Sequence, residues 1–280
     1  MSRLARLARL ACHSRRATTG LLLAAAALAA GADTLPWQVE AGVGVDHLGS
    51  GAPDWRQIDL SLRRQLAPRS VAELSVRSTR RSGLDDQELG AAVGLPLDGP
   101  WAVALAASLS PSHRVLARGS GRVELTRALD DGWVAGASFG RRVVNDGGNS
   151  QWGLGLERYV AVWRLAAGVG QTRLDGGGAA AHLRLQVDRY FADERGRIGV
   201  IVASGRELEG VPATAGVGAD LIDQRVRTVA LVGAWPMATD WALTGEASHV
   251  RHDDIRRRSG AVASAPYQRS GVRLGVRRDF

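Results

Sequence analysis

The chain has 280 residues, with 36 basic and 28 acidic side chains, a formal charge of +8, and arginine as its only strong base. Hydrophobic residues make up 45% and glycine contributes 35 positions, yet beyond the N-terminal region no apolar run approaches the ~20 residues of a spanning helix. A single cysteine, Cys12, leaves no material for an internal disulfide or a thiolate metal site.

The N-terminus carries Arg3, Arg6, Arg9, Arg15 and Arg16, then the apolar run Gly20 to Ala30, then the small-residue site Ala30-Gly31-Ala32. That order is a secretory signal peptide cleaved after Ala32, leaving residues 33–280 as the mature domain. No acidic residue precedes Asp33, so loss of those five arginines lowers the formal charge from +8 to +3. The apparent basicity therefore belongs largely to the leader, and a nucleic-acid partner loses its main support. Cys12 lies before the apolar core, where a lipoprotein cysteine would not stand, and leaves with the leader.

From Trp37 onward the chain alternates apolar and polar residues, the period of a strand with one face in each environment. Val39, Ala41, Val43 and Val45 oppose Gln38, Glu40 and Asp46; Ile58, Leu60 and Leu62 oppose Asp59, Ser61 and Arg63. Further strands follow with Leu74 and Val76, Leu89 to Leu95, Trp101 to Leu109, Val123 and Leu125, Trp133 to Val144, and Trp152 to Leu156. Trp163 to Val169, Leu183 to Val187, Ile198 to Val202, Val229 to Trp235, Trp241 to Ala247, and Val272 to Val276 continue the series. The last strand, Tyr267 to Phe280, ends on an aromatic residue, as outer-membrane barrel strands do. The connections alternate: short turns near Pro68, Gly99, Asp131, Ala161, Asp193 and Ala238, with longer ones elsewhere. RRSGLDD, NDGGNS, Glu207 to Asp223 and HDDIRRRSGAVASAP are read as loops, Glu207 to Asp223 as a mobile outer one.

The expected fold is all-β: an antiparallel up-and-down transmembrane β-barrel of about 14 strands, with 12 as the other possible number, and no helix between strands. Lipid cannot satisfy the hydrogen bonds of an edge strand, so strands span a membrane only in a closed sheet. Trp37, Trp101, Trp133, Trp163, Trp235 and Trp241, six of the eight tryptophans, sit beside the short turns on the apolar parity, with Phe280 beside them. Rings with an apolar body and a polar N–H gain most at headgroup level, so these residues form a candidate membrane-interface girdle. A soluble sandwich would have an apolar face but no use for that girdle.

The polar parity then faces the lumen. It gathers Arg63, Arg77, Arg122, Arg142, Arg164, Arg184, Arg273 and Arg277 with Glu40, Asp59, Glu73, Glu88, Glu124, Glu157, Asp188 and Glu246. Either these charges brace the wall as ion pairs, or they form rings that select what passes. Asp85-Asp86 and His252-Asp253-Asp254 fall in expected outer loops, where an Asp/His protease site would sit, but polar loops are the ordinary state. His182 faces inward without a recognisable Ser-His-Asn constellation, and His249 and His252 lie on opposite faces, poorly placed to chelate. No catalytic residue, metal site or cofactor is expected.

GSGAPDWRQIDLSLRR around Trp55, DDGWVAGASFGRR around Trp133, LERYVAVWRLAAGVG with Tyr159 and Trp163, and VDRYFADERGRIGVIVASGRELEG with Arg189, Tyr190 and Gly205 together resemble the YaiO family of outer-membrane β-barrel proteins. The resemblance runs from about Trp37 to Phe280 and implies an outer-membrane barrel without catalytic residues to carry over. The expected function is a passive channel or envelope protein. The alternative is a structural barrel with a sealed lumen whose outer loops bind a partner, and a loop-sited hydrolase stands third. Expected partners are outer-membrane lipid and, during biogenesis, periplasmic chaperones and the barrel-assembly machinery, with no nucleic acid.

Overall fold

The computed structural model describes residues 36–51, 53–81, 83–144, 147–175, 177–192, 195–211, 220–257 and 266–280. The expected leader lies outside the described residues. Fourteen strands follow one another: β1 Trp37–Leu48, β2 Trp55–Ala67, β3 Ser70–Arg81, β4 Leu84–Pro96, β5 Trp101–Leu109, β6 Gly119–Ala128, β7 Trp133–Val144, β8 Gly147–Val160, β9 Trp163–Leu174, β10 Ala179–Phe191, β11 Gly196–Val211, β12 Asp220–Pro236, β13 Trp241–Arg257 and β14 Tyr267–Asp279. Each pairs antiparallel with its chain neighbours, and β14 pairs with β1, as in Leu274 opposite Val43, so the sheet closes on itself.

Closure leaves no backbone edge, and the side-chain alternation then sorts every strand into an outward and an inward row. The outward row is apolar and open: Val43 is 59% exposed, Ile58 61%, Leu154 55% and Leu274 54%. Among the described residues the buried apolar set is only Leu48, Ala117, Ala180, Ala230, Ala242 and Val250. The molecule is inverted relative to a water-soluble domain, with its hydrocarbon surface outside and its charged side chains within.

The two ends of the barrel differ. At one, the turn end, every connection is short: 68–69, 97–100, 129–132, 161–162, 192–195 and 237–240. The third of these holds a single turn of 3-10 helix, Asp130–Gly132, where a plain turn was expected; Asp131 and Gly132 take positive φ of 58° and 75°.

The other, the loop end, is more strand-rich than the sequence suggested. The RRSGLDD and NDGGNS loops shrink to residues 82–83 and 145–146, because pairing runs on to Arg81 with Leu84 and Val144 with Gly147. Gly83 and Gly147 supply positive φ of 80° and 145° for these tight hairpins. The expected outer loop Glu207 to Asp223 is largely strand too: Val211 pairs with Asp220, and only 212–219 fall between, outside the described residues. Likewise β13 continues through His252 to Arg257.

Candidate functional site

The inward row of β8–β10 carries a continuous polar chain. The Arg164 guanidinium donates from Nε and Nη2 to Glu157 at 2.8 and 2.6 Å and from Nη1 to Asp188 at 2.8 Å. Tyr159 donates its hydroxyl to the same Glu157, at 3.0 Å. On the other side Gln186 donates to both Asp188 oxygens, at 3.0 and 2.8 Å, and accepts from Arg184 at 2.8 Å. Asp188 is wholly buried beneath these groups.

Glycine makes this possible. A Cβ at Gly199, directly across the β10–β11 ladder from Asp188, would collide with the carboxylate Oδ1. A Cβ at Gly44 would meet Arg273 Cγ at 2.8 Å. Long polar side chains therefore lie flat along the wall over glycines instead of pointing to the axis.

A second cluster spans β2–β4, where Arg77 bonds Asp59 at 2.8 Å and reaches Glu88 at 3.4 Å. Arg122 pairs with Glu124 at 3.0 Å, and Arg273 with Glu246 at 3.5 Å. Arg63 and Glu73 stand directly opposite each other across β2–β3, but no ion pair joins them. Among the described residues no carboxylate pairs with Arg63 or Arg184.

Two cavities open along this wall. One of about 320 Å³ is lined by Arg122, Glu124, Gly136, Ser138, Gln151, Glu157, Arg164, His182 and Arg184. The other, about 310 Å³, is bounded by Arg63, Glu73, Ala92, Ala104 and Ala106 and shares Arg122 and Glu124. The inward positions of β5 are Ala102, Ala104, Ala106 and Ser108, so the wall is thinnest in side-chain bulk beside these charges.

The loop-end mouth was misread from sequence. Asp86 lies in β4, not in a loop, and is fully buried; its Oδ2 accepts the backbone N–H groups of Val115 at 2.6 Å and Leu116 at 2.8 Å. It thereby ties the 110–118 connection to the inner face of the sheet, with Ser110 and Ala117 buried. His252 is likewise an inward strand residue, stacked on Tyr267 with centroids 4.3 Å apart and planes 8° from parallel. Trp55 also faces inward, with the guanidinium groups of Arg81 and Arg269 over its ring at 4.5 and 5.1 Å. Asp254 has no described side chain, and among the described residues no three His, Cys, Asp or Glu side chains gather to hold a metal ion.

The turn-end rim carries Trp37, Trp101, Trp133, Trp163, Trp235, Trp241 and Phe280 outward. Each of five tryptophans faces an arginine across the ladder that sequence reading overlooked. Arg64 lies over Trp37 at 4.8 Å, Arg127 over Trp101 at 5.2 Å, Arg158 over Trp133 at 4.9 Å, Arg189 over Trp163 at 5.8 Å and Arg278 over Trp241 at 5.1 Å. Trp235 packs instead on Phe191, with centroids 4.9 Å apart. The signal was an arginine on the apolar parity, one outward position beyond an aliphatic residue, as in Leu62 and Arg64 or Leu156 and Arg158.

A closed up-and-down barrel of fourteen strands, apolar outside and charged inside, is the architecture of porin-like outer-membrane barrels. Solved structures agree in fold. A bacterial polysaccharide outer membrane secretin superposes with a TM-score of 0.55 at 5% identity, over 87% of this chain and 98% of its own. The Acinetobacter baumannii outer membrane protein Omp33 gives 0.50 at 9% identity, over 89% and 100%. An anion-selective porin from Comamonas acidovorans gives 0.47 at 9% identity, over 88% and 99%. No protein-family model and no curated protein matches the sequence.

Proposed function

We propose that the chain is an integral barrel of a bacterial outer membrane, exported by its N-terminal leader, and that it acts as a passive, weakly selective channel for small hydrophilic solutes rather than as an enzyme. The YaiO resemblance supports the same assignment. The turn end then faces the periplasm and the loop end the outside, the usual arrangement of such barrels. On this reading periplasmic chaperones and the barrel-assembly machinery deliver the chain, and lipid is its permanent partner.

The observation that carries the channel reading is the pair of cavities beside small inward residues, with Arg63 and Arg184 left without a carboxylate among the described residues. Charges that lie flat leave the lumen wet, and both signs along the wall give weak selectivity. The test is single-channel conductance of the refolded mature chain in a planar bilayer. Stable steps are expected, and Arg184→Glu should shift the ion preference toward cations. A reversal potential unmoved by that substitution would remove Arg184 from the conducting path.

A second reading rests on Asp86. By holding the 110–118 connection against the inner wall, it favours a barrel whose mouth is closed by its own loop. A folded barrel that never conducts, with Asp86 intact or replaced, would favour a structural role.

A further inference from the structure

The cavity of about 320 Å³ on the inner wall has a floor almost without side chains. Gly136, Gly155 and Gly168 stand directly opposite one another across β7, β8 and β9, and Arg184 on β10 closes the row. One step toward the loop end Ser138, Gly153 and Gly170 are aligned in the same way, and His182 closes that row. Among the described residues no other ladder row sets three glycines side by side.

Glycine weakens a strand, so each of these positions calls for a reason. For Gly153 and Gly170 the reason is a neighbour, since a Cβ there would meet Ser138 Oγ at 3.2 Å and strike the His182 ring. Gly155 and Gly168 have no such reason. A Cβ at either would touch only a carbonyl oxygen, that of Ala167 at 3.8 Å and that of Leu154 at 3.5 Å, and neither residue takes a positive φ. No side chain covers them, and Gly155 is exposed to the lumen. A bare strand surface that the fold does not require marks a place where a ligand comes against the backbone.

The groups around the floor narrow the chemistry of that ligand. On β6 Arg122 and Glu124 flank it as a pair at 3.0 Å, with side chains 55% and 41% exposed. On the far side Arg164 binds Glu157 and Asp188, and Arg184 reaches Asp188 through Gln186. Three guanidinium groups thus stand against three carboxylates, with histidine counted as neutral; Arg142, the next inward residue above Gly140, lies outside the lining. The basin offers donors and acceptors side by side, with no excess of either charge.

We propose that this basin binds a neutral sugar, its ring lying flat on Gly155 and Gly168 and its hydroxyls bonding Arg184 and His182 on one side and the Arg122–Glu124 pair on the other. This rests on the channel reading above and names its class of solute. A hydroxyl donates and accepts at once, so a ring of them uses both halves of each pair, whereas an ion would meet a like charge beside every unlike one. Four strand spacings, about 19 Å, separate β6 from β10, and long side chains reach in from both edges. That gap, and a cavity at the small end of the range of ligand pockets, suit about one or two sugar rings.

The test is a saturation-transfer NMR titration of the refolded mature chain in zwitterionic micelles with glucose, glucuronate and tetraethylene glycol dimethyl ether, beside urea-unfolding midpoints. Glucose should bind, glucuronate no more tightly, and the ether, which has no donor, should not bind. Gly155→Val with Gly168→Val fills the floor and should weaken glucose binding about tenfold, the Ala pair by less. The same Val pair should raise the unfolding midpoint, because a β-branched residue replaces glycine in a strand. Loss of binding with a gain in stability is a combination that a folding defect cannot produce. Gly121→Val on the outward row, where a Cβ meets nothing within 4 Å, should stabilise likewise and leave binding unchanged. Equal glucose affinity in wild type and the Val pair, tighter binding of glucuronate, or binding of the ether as strong as that of glucose would each overturn the proposal. Conductance in a planar bilayer separates it from the channel reading. Glucose binding without conductance refutes the channel and leaves the site standing, whereas conductance without glucose binding refutes the site alone.

Discussion

Asp188 shows what a single residue asks of its surroundings in this barrel. A buried carboxylate without a counter-charge would be neutralised or expelled, and here Arg164 and Gln186 occupy its oxygens while Gly199 leaves the room beneath it. Removing one partner of a buried pair leaves the other charged and desolvated. Arg164→Met is therefore expected to destabilise the barrel by about 3–5 kcal/mol in urea unfolding from vesicles, and adding Asp188→Asn should restore part of that loss. Gly199→Val tests the wall from below. It displaces Asp188 from Arg164, and the expected cost is about 1.5–3 kcal/mol, the worth of hydrogen bonds to a charged group. A variant as stable as wild type would mean that Asp188 finds equivalent partners elsewhere.

At the scale of the element, the strands were legible wherever bilayer chemistry imposes a period of two. Trp101–Leu109 and Trp133–Val144 coincide in sequence reading and structure. The misreadings fall at the loop end, where β11, β12 and β13 run to 16 and 17 residues. Above the apolar band both faces of a strand meet water or headgroups, so alternation vanishes although the backbone ladder continues. Pairing such as Val211 with Asp220 leaves no trace in hydropathy. The turns hold the next prediction. Ala161 connects β8 to β9 with φ of 49°, a left-handed conformation that costs a non-glycine residue about 1–2 kcal/mol. Ala161→Gly should raise the unfolding free energy by about 1 kcal/mol or less, the gain offset by glycine's larger entropy in the unfolded chain, whereas Ala161→Val should lower it. The tryptophan rim behaves as paired elements as well. A double-mutant cycle on Trp133 and Arg158 is expected to return a coupling of about 0.5–1 kcal/mol, and zero coupling would reduce the stacked geometry to coincidence.

For the whole molecule, parity alone identified the charged inner wall, because a closed barrel converts one sequence phase into one surface. Which charges meet was not legible. Arg164 bonds Glu157 on one neighbouring strand and Asp188 on the other, whereas Arg63 and Glu73 face each other and form no pair. Such choices depend on register and on which neighbour is a glycine, which hydropathy does not encode. The same limit hid Asp86, whose role depends on where the 110–118 connection returns. Two backbone N–H groups end on its carboxylate, and hydrogen bonds to a charged acceptor are worth about 1.5–3 kcal/mol each. Losing even about 3 kcal/mol of that restraint shifts the balance between held and released loop by roughly a hundredfold. If the loop narrows a conducting lumen, Asp86→Ala should enlarge the conductance steps and add slow closures as the freed segment moves in and out of the mouth. Asp86→Glu, which keeps the charge but lengthens the arm, should fall between. If the loop instead lies clear of the solute path, all three proteins should give the same step size, and whatever limits the conductance must be sought deeper, at Arg122, Glu124 and Arg184 on the inner wall.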